Sequence, residues 1–574
     1  MLVRLGGVRL RAVAIGLAVG LFMGFVDSYS YAVSGFTTSE ISVVFIPVIV
    51  LALATALRAS LTREELVAAS ALAIGIDITT TLTSGMYVTY GFLKLVASKL
   101  SVFGISVSVP PKLFSYPHPL DLESMPIYVS LALVSAAGVL IAYAFRMHFL
   151  EKERLLYPLG TAAAMLLRVA KRVRVEHAVA ILVGFGAQLA YLALGGAMLD
   201  LTPVTSSILP GAILALSVNP IVVAVLLLVP AGSLRSISLG SVSTYLALLP
   251  IAVVLGGVAV IPTPSYDSSL LAYSNLVSSI LVGAVAVLSA TYLARYRKAI
   301  VQSVKLLLSM GVERRAMALG LALVAMITLP ALALAGRVEL ARLAPIIAIV
   351  VATHIVLTLV NLRVVGEAGM GSQAVLPIVT LELFASGCRG AGIYAALDPY
   401  TGIPMPQVVA GTAMNAIRFG LMSGVRSSLV AALMCAGIAV GSFATYIFGN
   451  LLVASLGLNS PKMPLYRWLP TVVWMSTIYS GSPQAVSLAA VAIGVASAAI
   501  MVLISSRTSW QALPFVVGMT LPPDIGLLAL AAYAVKRAVM KLGVEAHERL
   551  LSLSSLALVG CGAAIAVYAA LSVV

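Results

Sequence analysis

The stretch IIAIVVATHIVLTLVNLRVVGEAGMGSQAVLPIVTLELF, Ile346 to Phe384, is a long apolar run interrupted by Asn361, Arg363, Glu367 and Glu382 and by glycines at 366, 369 and 371. Hydrocarbon cannot hydrogen-bond a bare carboxylate or guanidinium. Such groups persist at membrane depth only when they pair or line a watery cavity. A run apolar enough to cross a bilayer and still charged within it therefore indicates a membrane fold, and it marks where a transported solute would bind.

The rest of the chain agrees with that reading. Of 574 residues, 61% are hydrophobic and 10% charged, with a mean hydropathy of +1.10, whereas soluble domains carry about 25% charged residues. Apolar stretches of crossing length recur from end to end, which predicts an all-α, polytopic protein of roughly 14 to 17 transmembrane helices. Residues 1–574 then form a single transmembrane domain. The net charge of +15 does not point to nucleic acid, because most Lys and Arg fall in short runs between spans: Arg4–Arg11, Arg58–Arg63, Arg146–Arg174, Arg295–Arg315 and Lys536–Arg549. These runs are expected on the cytoplasmic face of a multi-pass cell-membrane protein. Gly35–Glu40, Val102–Glu123 and Ile261–Ser269, rich in Ser, Thr and Pro, suit the outer face. The lipid bilayer is the first partner this implies, and homo-oligomer formation is left open.

No metal site or cofactor is expected, since Cys388, Cys435 and Cys561 stand singly with no second cysteine or histidine at ligand spacing. The arginines at 4, 9 and 11 and the apolar run to Phe25 resemble a signal peptide, but no small-residue cleavage site ends the run. It reads as the first membrane helix. Its Gly16, Gly20 and Gly24 form a ladder that would let another helix come close.

Two segments do not read as ordinary spans. Leu155–Leu167 is too short to cross and has basic residues on both sides, so a re-entrant course is expected. Trp510–Val535 is broken by Pro514, Gly518 and Pro522-Pro523, again between basic flanks, Arg507 and Lys536. Broken helices near the midplane are how many secondary transporters offer backbone groups to cargo. These features recur in order: Gly35 precedes Pro47 by 12 residues as Gly366 precedes Pro377 by 11, and Pro126 precedes Pro158 by 32 as Pro483 precedes Pro514 by 31. Two similar tandem halves, 1–300 and 301–574, are the expectation, with a site between them.

Glu367 is the first candidate for proton coupling, as a carboxylate among apolar neighbours. Arg363, four residues earlier, either pairs with it structurally or, if the glycines unwind the helix, holds a substrate carboxylate through a bidentate contact. Asn361, Asp27, Asp77 and Glu382 are further polar candidates at membrane depth, with an interfacial cap as the alternative for Asp27. Asp524 suits an N-cap, and His354 a satisfied core histidine.

At these residues the chain resembles the oligopeptide transporter superfamily, nearer its yellow stripe-like and prokaryotic branch than its eukaryotic peptide branch. NLRVVGEAGMGSQAV, Asn361–Val375, is similar to the family's Arg-x-x-Gly-Glu-Thr-Gly element at Arg363, Gly366, Glu367 and Gly369, with Ala368 in place of Thr. LTREELVAAS, Leu61–Ser70, resembles the opening of an early family helix, and Leu156 to Ala162, with Tyr157 and Pro158, its Leu-Pro-[Tyr/Phe]-Pro-Ser-Gly-Thr-Ala turn. Arg418-Phe419-Gly420 sits where the family has Lys-Thr-Gly, and GMTLPP, Gly518–Pro523, resembles its late Pro-Pro element. The peptide branch's Lys-Ile-Pro-Pro-Arg element has no counterpart. The resemblance implies transport of small peptides, peptide-like chelates or metal-chelate complexes by proton symport. It also implies roles for Tyr157 and for Arg418, the latter as an anion contact or a cytoplasmic end charge.

A passive channel or a membrane-embedded enzyme is the alternative. Against an enzyme, His547-Glu548 lacks the second histidine of H-E-x-x-H, and the chain contains neither G-x-S-x-G nor a phosphate loop.

Overall fold

In the computed structural model the described residues are 4–5, 8–34, 42–100, 125–170, 175–194, 198–256, 340–369, 406–458 and 487–573, most of 258–294, and scattered positions in 114–118, 311–320 and 382–386. Gly35, Gly371, Pro377, Cys388, Pro483 and most of Arg295–Arg315 and Val102–Glu123 lie outside them. The described protein is almost wholly helical. Its strands are β1 (Arg4–Leu5) antiparallel to β2 (Val8–Arg9), and β3 (Met198–Asp200) antiparallel to β4 (Ala215–Ser217). Among the described residues five helical stretches are long and apolar enough to cross a membrane: Ala132–Lys152, Ala231–Leu255, Ala348–Glu367, Ser427–Ala454 and Leu488–Arg507.

In chain order the helices are α1 (Leu10–Ser34), α2 (Ser42–Ala56), α3 (Arg63–Leu100), α4 (Met125–Met147), α5 (Pro158–Ala170), α6 (Val175–Ala193), α7 (Thr202–Ile208), α8 (Pro220–Leu226) and α9 (Ala231–Ser243). They continue with α10 (Leu249–Leu255), α11 (Tyr266–Ala272), α12 (Leu340–Ala368), α13 (Pro406–Met422), α14 (Ser427–Leu456), α15 (Leu488–Arg507), α16 (Ala512–Thr520), α17 (Pro523–Met540) and α18 (Val544–Val573).

The glycine ladder of α1 meets α3. A Cβ placed on Gly16, Gly20 or Gly24 would lie 2.7 Å from the Ala69 carbonyl, 2.7 Å from Ile76 Cδ1 or 2.2 Å from Thr80 Oγ1. Lipid tails are as apolar as leucine, so helices gain most by bringing backbones together, and only small residues permit it. The contacts rise in step along both helices, which makes α1 and α3 parallel. Their starts are clamped: the Arg9 guanidinium grips both carboxylate oxygens of Glu65 and donates to the Ser60 carbonyl at 3.0 Å. Glu65 also accepts from the Thr62 amide (2.8 Å) while Thr62 Oγ1 accepts from the Glu65 amide (3.2 Å), a capping box written in Thr-Arg-Glu-Glu. Two basic runs thereby lie at one end of the molecule. The Arg549–Glu176 pair likewise joins the starts of α18 and α6.

The Arg9 guanidinium, aided by Thr62 and opposed by burial, lowers the Glu65 carboxyl to about 2. An unfolded glutamate titrates near about 4.3. The clamp's contribution is therefore fully present above that value and disappears as pH falls from there towards 2. Thermal midpoints of detergent-purified protein, measured from pH 7 down to 3, should fall more steeply for the native chain than for Glu65→Gln, which starts lower and is flatter.

The second broken segment is a helical hairpin. Its entry is tied to the first turns of α9, with the Gln511 amide donating to Ser236 Oγ at 3.1 Å and Ser233 Oγ donating to Gln511 Oε1 at 2.9 Å. Its exit returns to the same end, where Lys536 Nζ donates to the Val229 carbonyl at 2.7 Å. The tip lies about 12 Å further along α9 at a rise of about 1.5 Å per residue. There Ser241 Oγ sits 2.9 Å from the Leu521 carbonyl and 3.0 Å from the Pro522 carbonyl, which also accepts from the Gly526 amide at 3.1 Å. Lys536, expected among exposed basic residues, is instead buried at 2% exposure, because its ammonium completes this closure. Asp524 is not the N-cap, a position Pro522 occupies. Its carboxylate accepts from Ser217 Oγ (2.6 Å) and the Tyr266 hydroxyl (2.7 Å).

In the first short segment Pro158 begins the uninterrupted helix α5, so any turn within Leu155–Leu167 is confined to its first residues. Proline at a helix start has no amide hydrogen bond to lose and its fixed φ suits the first turn. The reversal falls earlier, where Arg154 and Tyr157 adopt φ of 53° and 46°.

Close packing against α9 gives a direct test. A Cβ on Gly240 would lie 1.9 Å from the Phe515 carbonyl, whereas one on Gly232 would find its nearest neighbour, Gln511 Nε2, at 3.8 Å. Gly240→Ala should lose about 1–3 kcal/mol by overpacking. Gly232→Ala should be neutral or gain up to about 1 kcal/mol from helix propensity. Thermal unfolding of the two variants side by side checks the difference.

Candidate functional site

Helix α12 carries the charged residues of the opening stretch. It remains helical through Glu367 and ends at Ala368, where Gly369 takes φ +89° and its amide bonds the Val365 carbonyl at 2.9 Å. Of the two readings offered for Arg363, the one that needs the helix unwound at Gly366 is not met, since α12 continues through it. Gly366 instead provides room, because a Cβ there would lie 2.7 Å from Leu155 Cδ1. Into that space comes the reversal before α5. The Tyr157 amide donates to the Gly366 carbonyl at 3.2 Å and its hydroxyl to the Leu362 carbonyl at 2.9 Å, so one residue grips two successive turns of α12.

Because the helix is intact, Arg363 and Glu367 face each other one turn apart, Nε to Oε1 2.9 Å. The guanidinium is shared: its Nη1 lies 2.5 Å from Oε2 of Glu153, whose other oxygen lies 2.9 Å from His148 Nε2. Glu153 was not singled out from the sequence. Its partner stands 210 positions away, and no local pattern announces such a pair. Beside them is a cavity of about 210 Å³ lined by Thr291, Arg363, Glu367, Ser505, Trp510 and Gln511, among others. Arg235 stacks over Trp510 at 4.1 Å from the ring centre, and Ser233 Oγ lies 3.3 Å from the Glu367 carbonyl. One cation between two carboxylates, next to a polar cavity, can change partners when a carboxylate takes a proton or an anion enters.

The other candidates lie elsewhere. Asp27 is inside α1 and fully buried, which removes the interfacial-cap reading; it pairs with Asp77 of α3. Asp77, fully buried on α3, lies close enough to Asp27 for their charges to interact. Glu382 accepts from Thr353 Oγ1 at 2.7 Å. Arg418, on α13, packs beside Gly160 of α5, whose amide donates to Asn415 Oδ1 at 3.0 Å. Asn361 is fully buried and donates to the Gln407 carbonyl at 2.7 Å. The structure thus brings Arg363, Glu367 and Tyr157 together, sets Arg418 against Gly160 in the turn after Tyr157, and pairs Asp27 with Asp77 on α1 and α3. Among the described residues no group of three or more His, Cys, Asp and Glu side chains could hold a metal ion.

Comparison with protein-family models finds none that matches the chain, and comparison with curated proteins finds no match either. The functional reading rests on the residues.

Glu153→Gln should leave Arg363 with Glu367 as its remaining carboxylate partner here and lower stability by about 1.5–3 kcal/mol, the usual value of a hydrogen bond to a charged group. Glu151→Gln, at an exposed neighbouring position, should be near neutral. Equal thermal midpoints for the two variants would count against a shared guanidinium.

Proposed function

We propose that the chain is a secondary transporter of small peptides, peptide-like chelates or metal-chelate complexes, driven by protons, in the cell membrane. The observation that carries this reading is Arg363 held between Glu153 and Glu367 at the wall of a polar cavity, on a helix apolar enough to span a bilayer. Likeness to the oligopeptide transporter superfamily at Arg363, Gly366, Glu367 and Gly369 supports the substrate class. In the fuller reading, residues 1–300 and 301–574 are two tandem halves, and α16–α17 is a re-entrant hairpin facing the cavity.

The chemistry follows from the shared guanidinium. A proton on Glu367 cancels its charge and weakens its hold on Arg363. The free edge of the guanidinium then accepts a solute carboxylate through two parallel N–H···O bonds. Release of the proton on the other side restores the ion pair and displaces the solute. Proton and solute therefore travel together.

Reconstitution tests this. In proteoliposomes with an imposed pH gradient, Glu367→Gln should lose gradient-driven accumulation of a dipeptide while keeping counterflow. Arg363→Lys should raise the half-saturation concentration about tenfold, since an ammonium lacks the planar fork. Asp77→Asn, which keeps a hydrogen-bonding group in the acid pair, should leave accumulation intact. Loss in Asp77→Asn but not in Glu367→Gln would move the coupling to Asp27–Asp77. Conductance far above carrier turnover would replace the transporter by a channel.

A further inference from the structure

Halfway along the spanning part of α12 lies a second polar group, distinct from the ion-pair cluster. His354, Asn361 and Gln407 are each at most 1% exposed. Gln407 Nε2 lies 2.8 Å from His354 Nδ1, and Asn361 Nδ2 donates to the Gln407 backbone carbonyl. Asn361 lies against the first two turns of α13: beside its bond to Gln407, a Cβ on Gly411 would be 3.2 Å from Asn361 Nδ2. Two carboxamide oxygens, Asn361 Oδ1 and Gln407 Oε1, are buried with no hydrogen-bond partner. For Asn361 the orientation is fixed by chemistry, because only its nitrogen can donate to a carbonyl and its oxygen is therefore the open atom.

A buried acceptor without a donor is costly in any interior, and more so where no water can reach it. These two oxygens sit beside the N-terminus of α13, a helix of 17 residues that starts at Pro406. Its first-turn amides have no partner inside the helix and carry the positive end of its dipole. That pairing selects a ligand. The helix end disfavours a bare cation, and the open carboxamide oxygens disfavour a carboxylate. A neutral group with an N–H to give and a C=O to be held satisfies both.

Building on the transporter reading above, we propose that Asn361, Gln407 and the first turn of α13 bind an uncharged amide group of the solute at mid-membrane. The solute's N–H goes to the carboxamide oxygens and its carbonyl to the amides of the helix start. Arg363, on the same helix and towards its end, would take an acidic group of the same solute. The substrate class narrows to amide-bearing acids, of which short peptides are the simplest.

The test uses detergent-purified full-length protein and two probes of near-identical shape, N-acetylglycine N-methylamide and N-acetylglycine methyl ester. The amide should raise the thermal midpoint and bind about tenfold more tightly than the ester, which lacks the second N–H. Asn361→Leu should abolish that preference. Gln407→Met, close in shape and without the carbonyl, should do the same and carries the test if Asn361→Leu does not fold. Equal binding of amide and ester, no binding of the amide, or an unchanged preference in either folded variant overturns the site. A more stable Asn361→Leu with its preference intact would identify the open oxygens as a structural-water position. Dipeptide uptake that is insensitive to both variants removes the site and leaves transport standing, whereas amide-selective binding without uptake removes transport and leaves the site.

Discussion

A backbone carbonyl freed at membrane depth has no water to turn to, and the architecture of this protein depends on how that need is met. Where a helix breaks or ends, a donor from a distant part of the chain supplies a partner. Ser241 answers the two carbonyls at the tip of α16–α17, the Tyr157 amide answers Gly366, and the Lys536 ammonium answers Val229. Each repair joins positions more than two hundred residues apart in sequence. Local irregularity thus becomes long-range connection.

The same constraint governs charge. Arg9 with Glu65, Arg549 with Glu176 and Arg363 with its two glutamates place each of these guanidinium groups against a carboxylate. At the rim such pairs fix helix ends in register. Deeper in, the second carboxylate around Arg363 makes the arrangement adjustable as well as stable, since one cation cannot fully satisfy two anions.

Much of this was legible from local pattern. Small residues four apart foretold the close approach of another helix to α1, and the four-residue spacing of Arg363 and Glu367 offered their contact as one of two readings. What failed to show was non-local. Glu153 was not singled out, and Asp27 and Asp77 looked like separate candidates until two parallel helices set them side by side. At Leu155–Leu167 the cause is different. Its length and basic flanks suggested a re-entrant course, but they do not say where the helix begins, which Pro158 fixes. Gly366 was similarly read for flexibility, although its use is spatial.

The glycine seams also bear on how the molecule can change shape. Where Gly16 presses α1 against the Ala69 backbone of α3, and Gly240 presses α9 against the Phe515 backbone of α16, backbone touches backbone with no side chain between to re-pack. Such contacts do not slide by small steps. Helices joined this way move as rigid plates, and any rearrangement must be taken up at joints built from side chains. The shared guanidinium at the end of α12 is such a joint, with two alternative grips already within its reach.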